Sequence, residues 1–260
     1  MILHKTTSYA SRIVLVGGVD PGCGAGVGRD LITALHLLAR VIIVGTAWTE
    51  PGHATVHGVE PRDPERVRVS LAAALTAVAT EPSAVKIGMV ATAATARAVA
   101  DTLGSYAGAV VYDPVLRATS GGDLYEGDRE SVLALARRAS LLTPNLDEAG
   151  WLLERTVSSA EEAREAAQAL LALGIPAVLV KGGHLEGDAG DVLCSAEGER
   201  VFASPRIPGP SPRGTGCALA TAIAVGLARG KRIEGAVAEA KAWLSERIAG
   251  ASLVGGEMHL

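Results

Sequence analysis

The chain has 260 residues, 48% of them hydrophobic, which is enough to bury one large core without a second domain. Its formal net charge of −4 provides no broad basic field, so composition excludes nucleic acid and anionic membrane surfaces as partners. Cys23, Cys194 and Cys217 show no CxxC spacing, which argues against a disulfide framework and a structural zinc site.

Residues Met1 to Arg12 are polar and lack the apolar run of a signal peptide, and no later stretch has the apolar length of a membrane span, so a cytoplasmic protein is expected. Ile13 to Val16 reads as the first strand, and a glycine-rich loop from Gly17 to Gly26 leads into a helix ending near Leu38. Strands follow at Val41–Val44, Ala84–Ile87, Ala109–Tyr112, Ser140–Leu142 and Ala177–Val180. Helices are predicted at Pro64–Ala79, Thr92–Leu103, Arg129–Arg138 and Ala160–Leu173. The Ala160 helix has the clearest apolar periodicity, behind an expected Ser158-x-x-Glu161 capping box, and Gly174 and Pro176 end it. Asp191–Cys194 and Arg200–Ser204 flank a Glu-Gly turn and read as an antiparallel hairpin. Helices at Gly216–Ala228 and Ile233–Ile248 complete the pattern, with loose tails expected at about 1–11 and 249–260. The alternation of short strands with longer helices predicts one α/β domain over residues 1–260, built on a largely parallel sheet.

Ligands of a parallel sheet bind beyond the carboxyl ends of its strands, and unusual residues gather there in this sequence. The loop from Gly17 to Gly26 lets backbone approach a ligand, yet it has neither the Walker A nor the dinucleotide spacing. A stronger signal is Arg213-Gly214-Thr215-Gly216-Cys217, which opens an apolar helix. Successive amides there can form an anion hole, and the first helical turn is a place where a thiol pKa is lowered. The alternative for this motif is a tight turn with a small buried cysteine. Asn145 and Glu148 stand three apart after one strand, able to face magnesium-bound phosphates or to form an ordinary helix cap. Lys181, directly after Val180, can neutralise phosphate oxygens, and Asp113 adds a carboxylate at the same edge.

As an ordered set, several segments resemble the ribokinase superfamily, and within it the hydroxymethylpyrimidine and hydroxymethylpyrimidine-phosphate kinases of thiamine biosynthesis. They are Gly17-Gly18-Val19-Asp20-Pro21 with Gly24-Ala25-Gly26 and Asp30, Lys86-Ile87-Gly88-Met89, Asp113-Pro114-Val115, Thr143-Pro144-Asn145 with Glu148, Val180-Lys181-Gly182-Gly183-His184, and Gly214-Thr215-Gly216-Cys217. The resemblance implies a three-layer α/β/α ribokinase-like fold, ATP and Mg2+, a homodimer, and phosphorylation of a hydroxymethyl group on a heterocycle. It makes Cys217 the general base, where most of the superfamily carries aspartate, and the amides of Gly214, Thr215 and Gly216 the anion hole. Lys181, Asn145, Gly183 and Thr215 then serve ATP, while Asp113 and Glu148 serve the metal. Gly18, Asp30, Met89 and Val115 match acceptor-contacting positions.

One departure bears on the acceptor. The usual Thr-Ala-Gln-Asn segment reads Thr49-Glu50-Pro51-Gly52, which puts a proline at the pyrimidine-reading glutamine and leaves Glu50 to substitute. Cys23, Thr119 and Pro212-Arg213 also depart from the pattern. Two alternatives therefore stand beside the pyrimidine reading: a pyridoxal-type kinase, and a catalytically silent relative that binds a pyrimidine or nucleotide.

Overall fold

The computed structural model describes residues 11–49, 58–118, 121–182, 190–203, 212–254 and 257–259. The expectations for Glu50, Pro51, Thr119, Gly183, His184 and the first ten residues lie outside them. The N-terminal half runs β1 (Arg12–Val19), α1 (Gly26–His36), β2 (Arg40–Thr49), β3 (Val59–Pro61), α2 (Pro64–Val78), β4 (Ser83–Ile87), α3 (Ala93–Thr102) and β5 (Ala109–Tyr112). Then come α4 (Arg129–Ala136), β6 (Leu141–Leu142), α5 (Leu146–Leu153), α6 (Ala160–Ala172), β7 (Ala177–Val180), β8 (Gly190–Ser195), β9 (Gly198–Ala203), α7 (Thr215–Ala228), α8 (Ile233–Ala249), β10 (Ser252–Val254) and β11 (Glu257–His259).

One sheet carries the strands in the order β3-β2-β1-β4-β5-β6-β7-β8-β9. β2, β1, β4, β5, β6 and β7 are parallel, whereas β3, β8 and β9 join antiparallel at the two edges. Because both faces are covered, β1 is apolar at successive residues. Val14 and Val16 pack with residues of α2 to α6, while Ile13 and Leu15 pack with α1, α7 and α8, giving the three layers. The chain leaves β1 toward β2 and returns across it to β4, so strand order reverses between β1 and β4, where an open sheet forms its ligand crevice.

Several boundaries differ from expectation. β1 and β2 extend to Val19 and Thr49, β3 was not foreseen, and α5 was expected only as a helical turn. The α6 capping box is one residue later: Ser159 accepts from the Glu162 amide, and the Glu162 carboxylate accepts from the amides of Ser158 and Ser159. Placed this way the box abuts the first apolar position, Ala163, which is fully buried. The C-terminal tail is not loose throughout, since α8 runs to Ala249 and β10 pairs antiparallel with β11.

Candidate active site

The carboxyl ends of the central strands and the start of α7 meet on one side of the sheet. α7 packs against β1, β4 and β5 and against α1. Its N-cap is Gly214, at φ +75°, and a Cβ there would stand 2.5 Å from the Gly24 carbonyl oxygen and 3.0 Å from Arg29 Cγ. Only glycine fits that conformation and that approach, so the glycine loop after β1 and the start of α7 lie directly against each other. Asp20 organises the first loop, accepting from the amides of Gly22 and Ala25, and pairs at 3.8 Å with Arg213.

Lys181 leaves the end of β7 with its amide on the Pro144 carbonyl, and its ammonium donates to Asp113 Oδ1 at 2.6 Å. Thr143 donates to the same oxygen at 3.3 Å. A Cβ on Gly216 would lie 3.3 Å from Lys181 Nζ and 3.8 Å from Asp113 Oδ2. The first turn of α7 therefore faces the Lys181–Asp113 pair, with no side chain of its own at Gly216 to block it. Burial opposes the charge on Lys181, but Asp113 and Glu148 outweigh it and hold the ammonium above its ordinary pKa.

Asn145 and Glu148 form a reciprocal cap on α5: Asn145 Oδ1 accepts from the Glu148 amide at 2.8 Å, and Glu148 Oε2 accepts from the Asn145 amide at 2.7 Å. The helix-cap alternative is the one the geometry shows, and the cap also brings Glu148 beside Asp113 and Lys181. Burial pushes the Glu148 carboxyl up to about 7, against the pull of Lys181. A buried carboxyl that resists ionisation next to a second one suits a divalent cation, which would supply the missing positive charge. Among the described residues no group of three His, Cys, Asp or Glu gathers to hold a metal. Asp113 and Glu148 fit Mg2+, which binds through one or two carboxylates and takes its remaining ligands from phosphates and water.

Cys217 is the third residue of α7, in its first turn, but its thiol is not acidic. Burial pushes it up to about 11, which outweighs the nearby Lys86 ammonium and the Gly26 amide that donates to it. The expectation from the helix end alone is therefore corrected: at a site this enclosed, desolvation exceeds the partial charge of the helix terminus.

Behind the cysteine is a pair that sequence reasoning did not find. Lys86 Nζ donates to Asp30 Oδ2 at 2.7 Å, and Thr221, one turn beyond Cys217, donates to Asp30 Oδ1 at 2.8 Å. Both charged side chains are 1% exposed. Asp30, expected as an acceptor contact, thus stands beneath the site with both oxygens taken. Its one sequence signal is a lysine inside the apolar run from Ala84 to Ile87. Gly18 and Met89 do meet, since a Cβ on Gly18 would lie 2.6 Å from Met89 Sδ, and partly buried Val115 packs with Met89 and Ala47. A cleft of about 470 Å3 opens at Asp20, Pro21, Cys23, Trp48 and Arg62, beside the glycine loop, and Lys181, Asp113, Glu148, Lys86 and Asp30 do not line it.

Comparison with known proteins identifies the family. The phosphomethylpyrimidine kinase family model matches residues 20–259. A hydroxymethylpyrimidine/phosphomethylpyrimidine kinase of Streptomyces coelicolor is 36% identical over 246 residues, covering 94% of this chain and 91% of the relative. A crystal structure of phosphomethylpyrimidine kinase from Clostridium difficile superposes with a TM-score of 0.76 at 29% identity, covering 92% of this chain and 99% of the other. The pyridoxal kinase of Staphylococcus aureus, in complex with AMP-PCP and pyridoxal, superposes with a TM-score of 0.82 at 26% identity, covering 94% and 90%. With the match spanning nearly all the described elements, the glycine-bounded start of α7 and the Lys181–Asp113 pair included, the chain belongs to the phosphomethylpyrimidine kinase family.

Proposed function

We propose that the chain, acting as one catalytic domain, transfers the γ-phosphate of ATP to the hydroxymethyl group of hydroxymethylpyrimidine or to its monophosphate. The observation that carries this reading is the convergence of Lys181 and Asp113 on the first turn of α7, with a glycine at the point of closest approach. Phosphoryl transfer asks a protein mainly for position and charge neutralisation, and this edge offers both. Lys181 and the amides of residues 214–217 neutralise the transferring group, with Asn145 and Thr215 toward the nucleotide and Gly183 assigned to it by the sequence motif alone. Asp113 and Glu148 hold Mg2+, which when bound supplies the charge that lets the phosphates approach two carboxylates. Gly18, Met89 and Val115 line the acceptor side, with Asp30 supporting it from below, and Glu50 is the residue the sequence offers in place of the pyrimidine-reading glutamine. The protein acts in the cytoplasm, as a homodimer by analogy with the superfamily.

Cys217 receives the hydroxyl proton. Because its thiol lies near 11 in the free protein, this role predicts a kcat/KM that climbs with pH through the neutral range, about tenfold per unit where thiolate is scarce. The test is ATP consumption with hydroxymethylpyrimidine, its monophosphate and pyridoxal side by side. Turnover is expected with the pyrimidines, falling roughly hundred- to ten-thousand-fold in Cys217→Ala with nucleotide affinity little changed. Preference for pyridoxal would replace the acceptor, the alternative with which the similarity to the Staphylococcus aureus pyridoxal kinase is compatible. No turnover in the wild type would end the kinase reading, and turnover unaffected by Lys181→Ala would end the role given to Lys181.

A further inference from the structure

The paired strands β7 and β8 run together in register from Ala177↔Ser195 to Val180↔Val192. If the ladder continued, Lys181 would stand opposite Asp191. It stops there instead, and the strands part at the lysine that reaches the phosphate edge. On the β6 side the separation is bridged by backbone, since the Lys181 amide donates to Pro144 O at 2.8 Å and Asn145 and Lys181 form an isolated parallel bridge. On the β8 side a side chain takes over: Asp191 Oδ1 accepts from the Gly182 amide at 3.0 Å. The other oxygen, Oδ2, accepts from Lys241 of α8 at 2.5 Å. Both oxygens are therefore committed, and the side chains are only 9% and 14% exposed.

A buried ion pair is a weak source of stability, because desolvating two charges offsets their attraction, and apolar replacements of similar volume are often tolerated. What the pair does uniquely here is to satisfy and fix one backbone amide, that of the residue following Lys181. Without that acceptor the Gly182 N–H would be a buried donor with no partner, and the segment carrying Lys181 would turn to find one.

We propose that Asp191, held by Lys241, is a positioning residue that sets where Lys181 presents its ammonium to the nucleotide phosphates. The proposal rests on the kinase reading, in which Lys181 meets those phosphates. It places a determinant of nucleotide affinity on β8 and on α8, behind the groups that touch ATP. The role belongs to the carboxylate oxygen facing Gly182, so an amide at the same position retains most of it and an apolar side chain does not.

The experiment measures AMP-PCP affinity by calorimetry, the KM values for ATP and for the acceptor, and the melting temperature, all on the full chain. In Asp191→Leu/Lys241→Met, which removes both charges together and keeps the site filled, the melting temperature should stay within a few degrees. AMP-PCP affinity should fall by about tenfold or more, and the KM for ATP should rise in parallel while that for the acceptor stays put. Asp191→Asn/Lys241→Met should restore the affinity to within about threefold of wild type, because the amide oxygen still accepts from Gly182 and no ammonium competes for it. A double variant Asp191→Leu/Lys241→Met or a single Asp191→Ala that is less stable but binds AMP-PCP as wild type does would overturn the proposal, as would failure of Asp191→Asn/Lys241→Met to restore affinity. Loss of acceptor affinity equal to that for nucleotide would overturn it too. Wild-type protein that binds AMP-PCP but phosphorylates no acceptor would remove the kinase reading and leave the Asp191 comparison intact.

Discussion

Replacing Gly214 by alanine tests how the site is assembled. Two separate effects act at this position. At φ +75° an L-residue pays conformational strain of roughly 1–2 kcal/mol. The new Cβ would also lie 2.5 Å from the Gly24 carbonyl oxygen, a backbone atom that no rotamer change can move aside. To reach an ordinary contact the two loops must separate by about 1 Å, and overpacking of this kind costs about 1–3 kcal/mol more. Gly230 isolates the first effect, because its φ is +79° and a Cβ there meets nothing within 4 Å. Gly230→Ala should therefore lower the melting temperature by the strain alone. Gly214→Ala should melt about 2–12 °C below Gly230→Ala, taking about 2–4 °C per kcal/mol for a chain of this size. Its turnover should drop by about a hundredfold, the usual consequence of moving a phosphate-stabilising group by 1 Å. Differential scanning calorimetry and the ATP-consumption assay read the two outcomes. Equal melting temperatures with undiminished turnover would show that contact between the glycine loop and α7 does not build the anion hole.

Glu148 gives the fold a pH dependence of known sign. Burial raises its carboxyl from 4.5 to about 7, so the folded chain binds this proton more tightly than the unfolded one. The resulting stabilisation is complete below about pH 4.5 and is lost as pH rises through about 7, at most about 3 kcal/mol. Melting curves should therefore show Glu148→Gln gaining on the wild type between pH 4.5 and 7, and a constant difference would contradict the assignment. At Gly18 the neighbour is a flexible thioether, Met89 Sδ, 2.6 Å from where an added methyl would stand, and it can swing away at little cost. Gly18→Ala should leave the melting temperature within about 2–3 °C, raise the acceptor KM several-fold and leave the KM for ATP unchanged in steady-state kinetics.

The sequence revealed whatever depends on local periodicity or on residues close in the chain. The parallel strands are apolar at successive positions because they are covered on both faces, and their helices keep a 3.6-residue pattern, so both classes of element were recognisable. Lys181, Asp113 and Gly214 to Cys217 were legible because each follows a strand or opens a helix. β3 was not, being three residues long at an edge. Neither was the acidity of Cys217, which depends on how completely distant segments enclose it. The Lys86–Asp30 and Asp191–Lys241 pairs escaped for the same reason: their members are 56 and 50 residues apart, and no local pattern joins them.

The bond from Thr221 to Asp30 spans 191 residues and ties the first helix to the seventh. Contacts this distant in sequence close late and slowly. Until α7 is in place, the face of the sheet that carries Ile13 and Leu15 lacks its cover, and Asp30 lacks the hydroxyl that takes one of its oxygens. Desolvation of the Asp30–Lys86 pair is therefore coupled to closure of that layer of the core.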